Sequence, residues 1–179
     1  MKTTAVALSY AKVLFSLANN MKMLDVVNRE IQTLGVLCQN LSRLFLLIDK
    51  QASVDTKNNF LTSLKSYGGF SEVIIKFLDL IRLENKFSLL SEISEAFTTL
   101  YRKDKNIEVV KVTSVEVIDD KTKKNIVKIL SDILKKEIII DNVVDQGIIG
   151  GVVIEIGSYV IDSSFENVLR RIKLSTNDI

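Results

Sequence analysis

The sequence has no proline, no histidine, a single cysteine and no apolar run long enough to span a bilayer. Without histidine the chain lacks the commonest general base, the commonest metal ligand and the ordinary pH switch. Cys38, being alone, excludes an internal disulfide and a thiolate metal cluster. Its place in an apolar helical run marks it as a buried, inert thiol, compatible with a reducing compartment. The absence of proline rules out proline-rich linkers, and neither repeats nor low-complexity tracts interrupt the chain. The opening MKTTAVALSYAKVLFSLANN resembles a signal peptide only superficially. Ser9, Tyr10 and Lys12 break an apolar stretch that secretion requires to run for about 7 to 15 residues. No segment approaches the roughly 20 apolar residues of a membrane span. The expectation is a soluble protein that reaches a membrane only through partners.

An excess of one charge sign is also missing. The 24 basic and 22 acidic side chains leave a formal net charge of +2, without the strong field of a dedicated nucleic-acid binder. Residues 1–105 hold 14 basic and 10 acidic groups (net +4) and the remainder 10 and 12 (net −2). With 47% apolar residues, 179 positions suffice for one good core or two small ones.

Glycine is sparse, with seven residues, and four of them (Gly147, Gly150, Gly151 and Gly157) fall within DQGIIGGVVIEIGSYVIDSS at 145–164. A phosphate-binding loop follows a strand and leads into a helix N-terminus. Here the glycines precede the strand and no GKS or GKT follows, so they are expected to shape a sheet. Val152 to Ile156 is apolar and β-branched apart from Glu155. Gly157-Ser158 reads as a tight hairpin with Tyr159-Val160-Ile161 as its return strand. Ser163, three residues before Glu166, has capping-box spacing and predicts a short helix carrying Phe165, Val168, Leu169 and Ile172.

The N-terminal part has helical periodicity. Over residues 4–19, Val6, Tyr10, Val13, Leu14 and Leu17 form one stripe, and Ala7, Ala11, Phe15 and Ala18 a second beside it. An arc that wide suits a central helix or one shared between a core and a bound partner. Val27, Ile31, Leu34, Cys38 and Leu41 mark a second helix, and Leu44 to Ile48 a short third run. Phe60, Leu61 and Leu64 mark a fourth, ended by Gly68-Gly69. The fifth opens at Ser71 and carries Ile74, Phe77, Leu78 and Ile81, widened by Val73 and Leu80. Leu89, Ile93, Phe97 and Leu100 define the sixth. The expected fold is therefore a six-helix all-α N-terminal bundle over residues 1–105.

At Asn106 the pattern changes. IEVVKVTSVEVI at 107–118 is β-branched and roughly alternating, which predicts a strand and a domain boundary. Asp119 or Asp120 can cap a helix bearing Ile126, Ile129, Leu130 and Ile133 on one side and Lys121, Lys124, Lys128 and Lys135 largely on the other. EIIIDNVV at 137–144 predicts a second strand. Residues 106–179 are thus expected to form a small α+β domain with helices over one face of a sheet.

Three stretches together resemble the delta-subunit family of bacterial rotary ATP synthases, counterpart of the mitochondrial oligomycin-sensitivity-conferring protein. In SYAKVLFSLA, Tyr10, Ala11, Leu14 and Ala18 match the family's opening pattern, with Ser9 in place of the usual arginine. FLDLIRLENKFSLLSEISEAFTTLY is similar to its fifth and sixth helices, with Phe87 where an arginine is common. VDQGIIGGVVIEIGSYVIDSS resembles its most specific signature. Asp145, Ile149, Gly150, Gly151, Ile156, Gly157, Ile161, Asp162 and Ser164 fit, and Gln146 replaces a frequent proline.

The resemblance implies a non-catalytic stator adaptor on the cytoplasmic face of the bacterial plasma membrane, with no cofactor, metal or catalytic residue. Its helical domain would hold N-terminal helices of alpha subunits of the catalytic head in a groove between the first and fifth helices. Its smaller domain would meet the b subunits of the peripheral stalk, so that torque from proton flow does not spin the head. Carried onto this chain, the alpha-binding positions are Tyr10, Ala11, Leu14, Phe15, Ile74, Phe77 and Ile81. Asp145, Gly150, Gly151, Gly157 and Asp162 form the structural signature. The alternative is a helical RNA-binding module of the antitermination-factor type, supported only by the N-terminal excess of basic groups. A small enzyme has no credible site.

Overall fold

A computed structural model describes residues 4–40, 53, 55, 56, 58, 59, 62, 63, 69–167 and 169. The chain divides into two compact units, Met1–Asp104 and Lys105–Ile179.

In the first unit, α1 (Ala5–Asn20) begins at Thr4, whose Oγ1 accepts the Ala7 N–H at 3.3 Å. α2 (Leu24–Asn40), α3 (Glu72–Leu83) and α4 (Leu90–Asp104) follow, and a 3-10 turn, Phe87–Leu89, leads into α4. α4 packs along both α1 and α2. Small residues permit the close approach: α1 buries Ala7, Ala11 and Ala18 beside Leu14, and Gly35 of α2 lies against Ser94 of α4. A Cβ at Gly35 would stand 2.5 Å from Ser94 Oγ. That buried hydroxyl is satisfied, donating to the Ile31 carbonyl at 2.8 Å. Ile31, Leu34, Ile74, Leu78, Ile81, Phe87, Leu90, Ile93 and Phe97 fill the rest of the core.

Among the described residues the expected six-helix N-terminal bundle is not seen. This unit has four bounded α-helices, α1 to α4, and one 3-10 turn, with further helical positions between α2 and α3, and a fifth bounded α-helix belongs to the second unit. The run Leu44 to Ile48 and the side chains of Phe60, Leu61 and Leu64 lie outside the described residues. Positions 55, 56, 58, 59, 62 and 63 are helical, yet all are exposed. Periodicity shows that a segment can be amphipathic, whereas packing decides which stripes share a core. The sixth expected helix also starts later than read, because Phe87–Leu89 is a tighter turn and the α-helix begins at Leu90.

The second unit holds β1 (Ile107–Ser114), α5 (Asp120–Leu134), β2 (Glu137–Val144), β3 (Val152–Ile156) and β4 (Tyr159–Asp162). The sheet order is β2-β1-β3-β4. β1 runs parallel to β2, with Val110 opposite Ile140, and antiparallel to β3, with Val112 opposite Ile154. Parallel neighbours need a crossover, which α5 supplies. The Asp119 carboxylate caps α5 by accepting the Thr122 N–H at 3.4 Å, and this bond holds it below the usual carboxylate range. Val110, Val112, Ile138, Ile140 and Leu130 form the core, with Ile126, Val127, Leu134, Val152, Ile154 and Ile156 against it. Ile129 and Ile133, expected on the buried stripe, are exposed, Ile133 at 69%. The helix is rotated so that Val127 and Leu134 take their place.

The glycine-rich stretch folds in the order turn, strand, hairpin, strand, helical turn. The closing cap is Ser164 rather than Ser163, since Ser164 Oγ accepts the Asn167 N–H at 3.4 Å and Ser163 N–H donates to the Val152 carbonyl at 3.0 Å. Gly151 has φ +84°, and a Cβ there would run into the Ser163 carbonyl oxygen, which is backbone and cannot turn aside. Gly157, at φ +57° in the hairpin, has open space around it. Gly151→Ala should therefore cost on the order of 3 kcal/mol and Gly157→Ala about 1 kcal/mol. Thermal melts reporting the second unit test this, and equal costs would refute the close-approach argument.

Candidate functional site

α1 carries two apolar stripes, and the structure buries the three alanines of one together with Leu14 of the other. Ala7, Ala11, Leu14 and Ala18 face the core. Val6, Val13 and Leu17 remain exposed, Val13 at 60%, with Tyr10 half-buried in line with them. These four sit at intervals of four, three and four, so they form one ridge along the helix. α3, which touches α1, exposes Leu80 and Leu83, the latter at 65%.

Of the expected alpha-binding positions, Ala11, Leu14, Ile74, Phe77 and Ile81 are core residues. Tyr10 and Phe15 are half-buried, and the Phe15 ring is already engaged by Phe97, centroid to centroid 5.8 Å at 56°. The seven positions thus map onto α1 and α3, but five are interior and hold the helices together. The exposed side chains of the same helices, Val6, Val13, Leu17, Leu80 and Leu83, were not singled out as contacts. Val6, Val13 and Leu17 were visible as a stripe, and periodicity alone could not say that it faced outward.

In the second unit the signature residues form a structural knot. Asp145 Oδ1 accepts the Gly147 N–H at 2.8 Å, and Asp145 N–H donates to the Ser114 carbonyl at 2.9 Å. Asp162 Oδ1 accepts the Ser164 N–H at 2.9 Å. Gly150 accepts the Phe165 N–H on its carbonyl at 3.0 Å, and a Cβ on it would strike the Phe165 ring. Asn142, which no sequence signal marked, ties the strand ends together. Its Nδ2 donates to the Val112 carbonyl and to Ser114 Oγ, both at 2.9 Å, while its Oδ1 accepts the Ile118 N–H at 3.0 Å. The edge strand β4 leaves Tyr159 (79%), Val160 and Ile161 exposed, and Phe165 and Leu169 beyond it are exposed too.

The polar chemistry consists of ordinary pairs. Glu72 and Lys76 bond at 2.7 Å, which lowers the Glu72 pKa. Lys111 and Glu155 bond across β1 and β3 at 2.8 Å, which raises the Lys111 pKa. Among the described residues no three His, Cys, Asp or Glu side chains gather as a metal site. An open groove of about 470 Å³ between α2 and α4 has a mixed lining that includes Val36, Gln32, Gln39, Glu95 and Arg102. The larger exposed apolar side chains among the described residues include Val6, Val13 and Leu17 on α1, Leu80 and Leu83 on α3, and Tyr159, Val160 and Ile161 on β4.

Burial pushes the Cys38 thiol up to about 12. Native protein at pH 8 should resist thiol-specific labelling, and unfolded protein should label at once; equal rates would contradict burial. The stability linked to this thiol is present below its ordinary range and is lost as pH rises towards 12. Phe77→Asp should cost about 4 kcal/mol or more and unfold the first unit by circular dichroism, because it buries a carboxylate in the core.

The match to the family model of the ATP synthase delta (OSCP) subunit covers residues 6–175. The chain is 34% identical over 174 residues to the ATP synthase subunit delta of Latilactobacillus sakei, covering 94% of each. It is 32% identical over 170 residues to that of Lactobacillus gasseri, covering 94% of this chain and 92% of the relative. A chain in the cryo-EM structure of the Toxoplasma gondii mitochondrial ATP synthase hexamer shares the fold, with a TM-score of 0.69 at 20% identity over 97% of this chain and 98% of that one. The chain belongs to the ATP synthase delta (OSCP) subunit family.

Proposed function

We propose that this chain, a non-catalytic stator subunit of a rotary ATP synthase, binds an N-terminal helix of an alpha subunit through its first unit. The observation that carries the reading is the outward ridge Val6, Tyr10, Val13 and Leu17 on α1, with Leu80 and Leu83 on α3. A ridge at helical spacing suits the apolar stripe of a partner helix. The buried positions Ala11, Leu14, Ile74, Phe77 and Ile81 serve this surface by holding α1 and α3 in place. The second unit meets the b subunits of the peripheral stalk, and its exposed apolar residues on and after β4 are available for that contact. No helix among the described residues is long and apolar enough to cross a membrane. The chain reaches the cytoplasmic face of the plasma membrane as a peripheral part of the complex.

The energetics favour two attachments. Burying Val6, Val13, Leu17, Leu80 and Leu83 contributes on the order of 5–10 kcal/mol gross. Association costs about 4–15 kcal/mol, so this surface alone gives moderate affinity. Attachment of the second unit to the same assembly raises the effective concentration and slows release, as resistance to torque requires. Family membership accounts for the helical unit without RNA, and acidic residues Asp120 and Asp132 interrupt the lysines of α5.

Calorimetry of the full chain with a peptide of the alpha N-terminus should detect binding. Val13→Asp should weaken it about tenfold or more while moving the melting midpoint by only about 2 °C. No binding by the unaltered protein, or full affinity in the Val13 variant, would sink the assignment.

A further inference from the structure

Ser71 occupies the N-cap of α3, yet its side chain makes no capping bond to the helix. Its hydroxyl and its backbone N–H both go to one carboxylate on α2. Ser71 Oγ–H donates to Glu30 Oε2 at 2.6 Å, and Ser71 N–H donates to Glu30 Oε1 at 2.9 Å. The partners are 41 positions apart and partly buried, so local chain geometry does not impose the contact. Two charge-assisted bonds to one residue restrain both the position and the rotation of the first turn. The carboxylate also places negative charge at the positive end of the helix dipole.

α1 has a weaker version of the same arrangement. Thr4 N–H donates to Glu92 Oε2 of α4 at 3.1 Å, through a single exposed bond with which water competes. Both helices of the docking surface therefore start on a glutamate supplied by another helix. The α3 clamp is the stronger, having two bonds and partial burial.

We propose that Glu30 is the positioning residue of the docking surface, fixing the first turn of α3 against α2 and so the pose in which Leu80 and Leu83 are presented. This rests on the docking reading above. The rotation of α3 is set by Val73, Ile74, Phe77, Leu78 and Ile81 in the core, and the clamp adds a fixed first turn against α2. Without it that end of α3 can shift, which changes the pose in which the exposed leucines stand beside the α1 ridge.

The test uses the full chain and four variants: Glu30→Ala, Glu30→Gln, Glu92→Ala and, as a matched core-destabilised control, Ile31→Val. Two quantities are read. One is hydrogen exchange of the Ser71 and Ile75 amides, the latter donating to the Ser71 carbonyl at 3.0 Å. The other is affinity for the alpha N-terminal peptide. Glu30→Ala should speed exchange about tenfold and weaken peptide binding about fivefold. Glu30→Gln, which keeps an acceptor for the Ser71 N–H, should restore most of the affinity, and Glu92→Ala should have the smaller effect. Ile31→Val should lower the melting midpoint while leaving affinity within about twofold. Unchanged exchange in Glu30→Ala overturns the positioning role whether or not the peptide binds. Faster exchange with unchanged affinity overturns its link to docking. If the unaltered protein fails to bind, the docking reading itself falls, which no variant is needed to see.

Discussion

The close approach of α4 to α1 and α2 is the constraint on which the first unit depends. Gly35 lies against Ser94 with no room for a Cβ, and Ala7, Ala11 and Ala18 let α1 settle into the core with only Leu14 as a large buried side chain. Dispersion and burial reward that closeness at every turn of the helices. The arrangement has a direct functional consequence. Because the small-residue face of α1 is turned inward, the larger Val6, Val13 and Leu17 are turned out. The exposed ridge is the other side of the packing solution that builds the core.

The second unit obeys a related rule with backbone in place of side chains. β1 lies between β2 and β3, and the chain returns from β2 to the sheet through a turn that brings Gly151 against the Ser163 carbonyl. Asp145, Asn142 and Asp162 satisfy the polar groups at the strand ends. A segment whose glycines might suggest a phosphate loop is thus occupied with closing a sheet. Glycine is required at position 151 because a Cβ there would meet backbone that cannot move aside.

Much of the local structure was legible in the residues. The span of β2 follows from its β-branched run, the start of α3 from Ser71, the hairpin from Gly157, and the existence of α1 and α2 from helical periodicity. The candidate site was legible only as a pair of helices. Tyr10, Leu14, Ile74 and Phe77 share α1 and α3 with the exposed ridge, but a stripe in sequence carries no label for inside or outside. The same ambiguity misplaced Ile129 and Ile133 on α5.

By itself, the sequence determined which segments are helical or extended, where helical grammar gives way to strand grammar, and which family the chain resembles. These are consequences of local periodicity, capping and glycine placement, which act over a few residues. Tertiary structure alone decided that β1 pairs in parallel with β2 and that the alanine face of α1 is the buried one. It also decided that Glu30 holds the start of α3 across 41 positions. Such contacts join residues distant in sequence, and the competition among apolar faces for one core is settled only when all the helices are present together.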